Sequence, residues 1–368
     1  MFVPSAKSNT SLLLLLLISV VLFVWVDGSR IFMSEEFYTE KMEAAKLMQT
    51  TMQVIKEQRL GQDIFIDELN DPNRTALIGE KQSLIVTDRG NLTAKLTSLN
   101  PNIAASIIDM FKRANLKKGD RVALSCTGSY PAVNLAVMSA AKVMELDLVI
   151  ISSVGSSMFG ATDPEFTWLD MESLLYEKEI FPYKSYATSM GGGRDLGRGL
   201  NLLGREAIIE AARRNNVLLV NEISLEKNIQ RKMKLYDEAV KGKKYKLYIN
   251  VGGGLSSLGN SVNGRLVKPG YHRHVSLKNI PLKGTMFLFA DRGVPIIHLL
   301  DIPKYSEMYE LPVAPSPLPE PGTGTMFKNE RYNITIASIA LALLVLLILG
   351  VIFFDHKQLK LKDDEIEI

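Results

Sequence analysis

Two stretches of the chain are apolar on every face of whatever element they form. One runs from Leu12 to Val26, broken only by Ser19; the other runs from Ile334 to Phe354, broken only by Thr335, Ser338 and Gly350. At about 1.5 Å per helical residue the second reaches about 31 Å, enough for a hydrocarbon core of roughly 30 Å, so it predicts a transmembrane helix. The first reaches only about 22 Å and reads as either a retained signal-anchor or the apolar core of a cleaved signal peptide, with Lys7 as its basic flank. Between them the pattern changes to that of a globular α/β domain.

Met48, Met52 and Ile55 recur at helical spacing after Ser34, Glu35 and Glu36, which suit a helix start. Asn100 and Pro101 open a second helix whose buried face is Ile103, Ile107, Met110, Phe111 and Ala114. Strands then alternate with helices. Arg121 to Ser125, Asp147 to Ser152, Val217 to Val220 and Lys246 to Val251 read as strands. Pro131 to about Glu145, Asp163 through Leu175, Arg205 to Asn215 and Ser224 to Lys241 read as helices. Strands apolar on both faces and separated by helices imply a parallel sheet covered on both sides, a Rossmann-like α/β sandwich. Thr285 to Ala290 and Val294 to Leu300, around Asp291-Arg292-Gly293, suggest an edge hairpin. Pro312, Pro315, Pro317, Pro319 and Pro321 predict a stiff linker that holds the domain off a membrane. The resulting division is 1–28 signal-anchor, 29–310 α/β domain, 311–333 linker, 334–354 transmembrane helix and 355–368 tail.

Composition agrees with this division. The mean hydropathy is slightly positive, at +0.08, because of the two apolar runs. With 43 basic and 40 acidic residues, the chain lacks the charge excess of a nucleic-acid binder. A single cysteine, Cys126, excludes an internal disulfide. Lys357, Lys360 and Lys362 after the second helix, against Lys328 and Arg331 before it, place the C-terminus in the cytoplasm. An N-terminal signal, cut or uncut, then puts the domain on the outer side of an inner membrane.

Ligands of doubly wound sheets bind beyond the carboxyl ends of the strands, where three loops here share small hydroxyl residues and glycine. They are Ser125 to Ser129, Ser152 to Ser157, and Gly252 to Ser257. Such loops let backbone approach an anionic ligand, with Ser153, Gly253 and Ser256 as candidate contacts; short βα turns favour the same residues for purely structural reasons. Gly191 to Gly199 is more unusual, since Arg194 and Arg198 stand in a glycine-rich loop and can offer their planar forks to carboxylate or phosphate. The loop lacks the Gly-Lys-Ser/Thr ending of a phosphate-binding loop, so a nucleotide site is the weaker reading. Ser129 or Cys126 beside a helix N-terminus is a candidate nucleophile, with Glu222 or His274 assisting. No metal-binding spacing is present, and the residues leave the cofactor unknown. Arg213 to Lys246 carries ten basic residues against four acidic ones, the mark of either a polyanion-binding stripe or a solvated helix face.

The segments GDRVALSCTGSYPAVN (119–134), SMGGGRDLGRGLNLLGREAI (189–208) and YINVGGGLSSLGN (248–260), with an N-terminal signal-anchor, a proline-rich stalk and a C-terminal membrane helix, resemble the bacterial poly-γ-glutamate system protein family. The resemblance covers essentially the whole chain but carries no catalytic signature. It implies an accessory part of the machinery that makes and exports an anionic γ-linked glutamate polymer. The partners it implies are the lipid bilayer, the polymer, an ATP-dependent ligase and membrane synthase components. The alternative is a cell-envelope hydrolase or transferase acting on amide-linked polymers.

Overall fold

The structure, a computed structural model, describes residues 8–366 other than 63, 65, 241 and 278, and only the backbone of 358–366. Lys7, Lys241, Glu367 and the side chains of Lys360, Lys362, Asp363, Asp364 and Glu365 therefore lie outside the described residues. The chain divides into two compact units, residues 1–35 with 328–368, and residues 36–327.

The first unit holds helix α1 (Asn9–Asp27), strand β1 (Ile31–Ser34), strand β11 (Lys328–Arg331) and helix α13 (Ile334–Ile366). Both apolar runs are thus helical, and Asn9–Asp27 and Ile334–Lys357 are long and apolar enough to cross a membrane. The strands, which the apolar pattern did not announce, pair antiparallel, Ile31 opposite Arg331 and Ser34 opposite Lys328. Ser34 therefore ends a strand instead of capping a helix.

In the second unit, α2 (Tyr38–Leu60) is followed by β2 (Val86–Asp88), α3 (Leu92–Ser98), α4 (Ile103–Arg113), β3 (Arg121–Thr127) and α5 (Pro131–Val143). Then come β4 (Asp147–Ser153), β5 (Ser156–Ser157), α6 (Trp168–Glu177), β6 (Ser185–Ser189), α7 (Leu202–Arg214), β7 (Leu218–Val220) and α8 (Leu225–Val240). The last part is β8 (Leu247–Val251), α9 (Leu255–Leu258), α10 (Ser261–Arg265), β9 (Gly270–His272), α11 (Thr285–Asp291), β10 (Ile296–Leu299) and α12 (Ile302–Met308). Seven strands form one sheet in the order β7-β6-β4-β3-β8-β10-β9. All neighbours are parallel except β10 and β9.

Alternate residues of each central strand face opposite layers. Val122, Leu124, Ile150, Ile249 and Leu299 join a core with α2, α4 and α5, where Met48, Met52, Ile107 and Phe111 are buried. Ala123, Val149, Tyr248 and Ile296 face a second core with Tyr236, Met233, Phe287 and Phe289. The sequence pattern locates most of these elements, and three regions differ. Helix α6 starts at Trp168 instead of near Asp163, because Thr167 and Asp170 form a capping box: Thr167 N–H and Oγ1 both donate to the Asp170 carboxylate at 2.7 Å. The expected hairpin is absent. Thr285–Asp291 is helical, and Ile296–Leu299 is an interior strand between β8 and β9. The proline-rich segment is no free stalk up to Phe327: Asn73 Nδ2 donates to the Pro315 carbonyl at 2.8 Å, and Phe327 is wholly buried, edge-on to Tyr38.

Candidate functional site

Strands β3 and β8 are neighbours although 119 residues of chain (128–246), containing β4, β6 and β7, separate them. Successive connections leave β3 toward one edge, and the chain returns at β8 to build the other. This reversal marks the position, beyond the carboxyl ends of β3 and β8, at which doubly wound sheets place their ligands. Gly252, at φ 83°, lies against it: a Cβ there would meet Thr127 Oγ1 at 2.7 Å, while Gly253 faces open space. Thr127 Oγ1 and Asn250 Oδ1 are buried near the ends of the two strands and have no hydrogen-bond partner among the described residues. Ser153 is buried at the end of β4, with its Cβ 3.3 Å from where a side chain on Gly191 would begin. The structure thus groups Ser153 with the Gly191 loop.

That loop is closed by its own backbone. Gly197 N–H donates to the Gly191 carbonyl at 2.8 Å, Asp195 N–H to Gly192 at 3.0 Å, and Gly193 and Arg198 exchange bonds of 3.3 Å. Its N–H groups are largely consumed internally, so it is not built as a phosphate cradle. Arg194 and Asp195 adopt left-handed φ values of 57° and 60°, which costs about 1–3 kcal/mol for such residues and persists only when the surroundings enforce it. The enforcing group is the Asp195 carboxylate, 1% exposed. It accepts from Ser189 Oγ at 2.8 Å, Lys232 Nζ at 2.9 Å and Asn228 Nδ2 at 3.1 Å. Lys232, itself buried on α8, also donates to Ser189 Oγ at 2.7 Å and Ser256 Oγ at 2.5 Å. One ammonium therefore ties the end of β6, the glycine loop and the turn after β8. Outside this anchor, Arg194 and Arg198 are exposed and have no ion-pair partner among the described residues.

The charge pattern alone puts Lys232 in a basic stripe and does not show this contact; the signal for it in the sequence is its position three residues after Ile229, beside the apolar face of α8. Nor does that pattern single out Lys95, 1% exposed in α3. Lys95 Nζ donates to Ser157 Oγ at 2.9 Å and to the Ser129 carbonyl, and lies 3.8 Å from the Tyr130 ring centroid. With no carboxylate paired to it among the described residues, burial draws its pKa down to about 7.

The nucleophile and base suggested by the sequence are not brought together. Ser129 Oγ accepts from Ser157 N–H at 3.0 Å, and no imidazole or carboxylate reaches it among the described residues. Cys126 is 1% exposed in the core, and burial pushes its thiol well above the usual range, which keeps it protonated. Glu222 follows β7 at the sheet edge, three strand positions from β3 and hence about 14 Å away at ~4.8 Å per strand. His274 follows β9 at the opposite edge.

Much of the basic stripe is neutralised. Arg213 pairs with Glu210, Arg214 with Asp170, Arg231 and Lys234 with Glu238, and Lys232 with Asp195. No group of three or more His, Cys, Asp or Glu that could hold a metal is assembled among the described residues. No family model, no curated protein and no solved structure matches the chain.

Proposed function

We propose that the protein is a membrane-tethered binding module for a carboxylate-rich anionic polymer, acting as an accessory component of poly-γ-glutamate synthesis or export. The domain then lies on the outer side of the membrane, beside a ligase and membrane synthase, and its sheet is read as Rossmann-like from the strand reversal at β3 and β8. The observation that carries the reading is the pairing of exposed Arg194 and Arg198 with a buried Asp195–Lys232 anchor beneath them. A rigid loop that holds two unpaired guanidinium groups in solvent binds a polyanion with little ordering cost, because its strain is already compensated.

The test is binding of the full chain in lipid nanodiscs to poly-γ-glutamate. Binding is expected at low salt, weakening as salt rises. In the double variant Arg194→Glu, Arg198→Glu it should fall at least tenfold and lose most of its salt dependence. Absence of binding at low salt, or equal binding by the variant, rejects the proposal.

A further inference from the structure

A concavity of the domain lies away from the glycine loops. It is a cleft of about 590 Å³ between the end of α2, the segment around residues 64–83 and the stretch 160–171. That volume is in the range of small-molecule sites. One wall is apolar, with Ile78, Ala161, Phe166 and Met171 among its residues, and the polar side carries Arg59 and Lys81 together with Asp67, Glu80 and Asp163.

Arg59 is unusual for a lining residue, since it is 9% exposed. Its Nη1 donates to Asp163 Oδ2 at 3.1 Å, and its guanidinium carbon lies 5.3 Å from the Phe166 ring centroid. Its Nε has no hydrogen-bond partner among the described residues. A buried N–H without an acceptor is costly, and the Nε edge of a guanidinium is suited to donate two parallel hydrogen bonds to a carboxylate. Among the described residues, the nearby carboxylates do not fill this role. Asp163 uses Oδ1 on Glu165 N–H and Oδ2 on Arg59 Nη1, and Asp67 accepts from Leu69 N–H and Asn70 Nδ2. Lys81 adds a second cation at the rim, with exposed Glu80 beside it.

We propose that this cleft binds a small carboxylate with an aliphatic body, the carboxylate seated on the Nε edge of Arg59 and the aliphatic part on the Ile78 and Phe166 wall. The site is independent of the arginine loop and does not require a polymer ligand.

The experiment is thermal unfolding of the full chain in nanodiscs with hexanoate as the probe and hexylamine as the charge control. Hexanoate should raise the melting temperature saturably, and hexylamine should not. Arg59→Lys keeps a cation for Asp163 but removes the planar fork, and the midpoint concentration of hexanoate should rise at least tenfold. Ile78→Trp, at a half-buried wall position, leaves Arg59 intact and should block the effect, so it decides the matter if Arg59→Lys does not fold. No saturable shift in the parent chain, equal response to hexylamine, or an unaltered response in Ile78→Trp overturns the proposal.

Discussion

His298 and Glu172 are both fully excluded from solvent, and burial acts on them in opposite directions. His298 accepts at Nδ1 from Asn250 Nδ2 and donates from Nε2 to the Gly264 carbonyl, each at 3.1 Å, an arrangement only the neutral ring satisfies. Burial lowers its pKa from 6.5 to about 4. The unfolded chain therefore binds more protons between those values, and stability falls as pH drops from 6.5 toward 4. Glu172 accepts from Ser185 N–H at 2.7 Å and from Ser185 Oγ at 3.2 Å, yet burial raises its pKa from 4.5 to about 7. Here the folded chain binds more protons, and stability falls as pH rises from 4.5 through 7. Each effect is worth about 3 kcal/mol at roughly 1.4 kcal/mol per pKa unit, and they oppose one another near pH 5.5. His298→Gln should flatten the acid limb of a stability profile and Glu172→Gln the neutral limb, as read by urea unfolding from pH 4 to 8. If either limb survives its own substitution, that residue is not its source. At this scale the sequence is only partly informative: it marks Arg194 and Arg198 by composition, whereas Lys232, Lys95 and Glu172 are set apart only by their burial, which a charge pattern does not reveal.

At the level of elements, legibility followed periodicity. Helices α4, α5, α7 and α8 and strands β3, β4, β7 and β8 show a 3.6-residue stripe or an unbroken apolar run, and their observed limits lie within a few residues of the expected ones. Strand β6 escaped because SYATS buries hydroxyls and alanine instead of aliphatic side chains, with Ser185, Ala187, Thr188 and Ser189 all buried. Helix α11 was misread because a short aromatic run fits either period; Met286, Phe287 and Phe289 are all buried against the second core. The segment after Leu311 shows how composition misleads, since its prolines suggest extension while Leu311 and Phe327 supply anchors at its two ends. Phe327 fills a small core with Ala45 and Ala105. Phe327→Ala should therefore destabilise the domain by about 3–5 kcal/mol, as for other fully buried phenylalanines. A loss below ~1 kcal/mol in urea unfolding would mean that the strap is only resting on the surface.

At the scale of the whole molecule, the antiparallel pairing of β1 with β11 joins the C-terminal end of α1 to the N-terminal end of α13. Two helices that leave one small sheet in this way run in opposite directions along the chain, so if both cross a bilayer, Asn9 and Lys357 lie on one face and the β1–β11 sheet on the other. The apolar length of Ile334–Lys357, 24 residues, reaches about 36 Å, enough for a full crossing with some tilt. The single cysteine makes sidedness measurable. Cys126 is 1% exposed and held as a thiol, so an introduced cysteine on the surface is the only fast-reacting one. Ile223, 89% exposed in the loop between β7 and α8, is a site where a cysteine disturbs no packing. In Ile223→Cys, a membrane-impermeant maleimide should label the protein in intact cells as completely as after lysis, while the parent chain stays unlabelled in both. Labelling only after lysis would place the arginine loop on the cytoplasmic side, where it cannot meet an exported polymer, and would defeat the functional proposal even if binding were seen in nanodiscs.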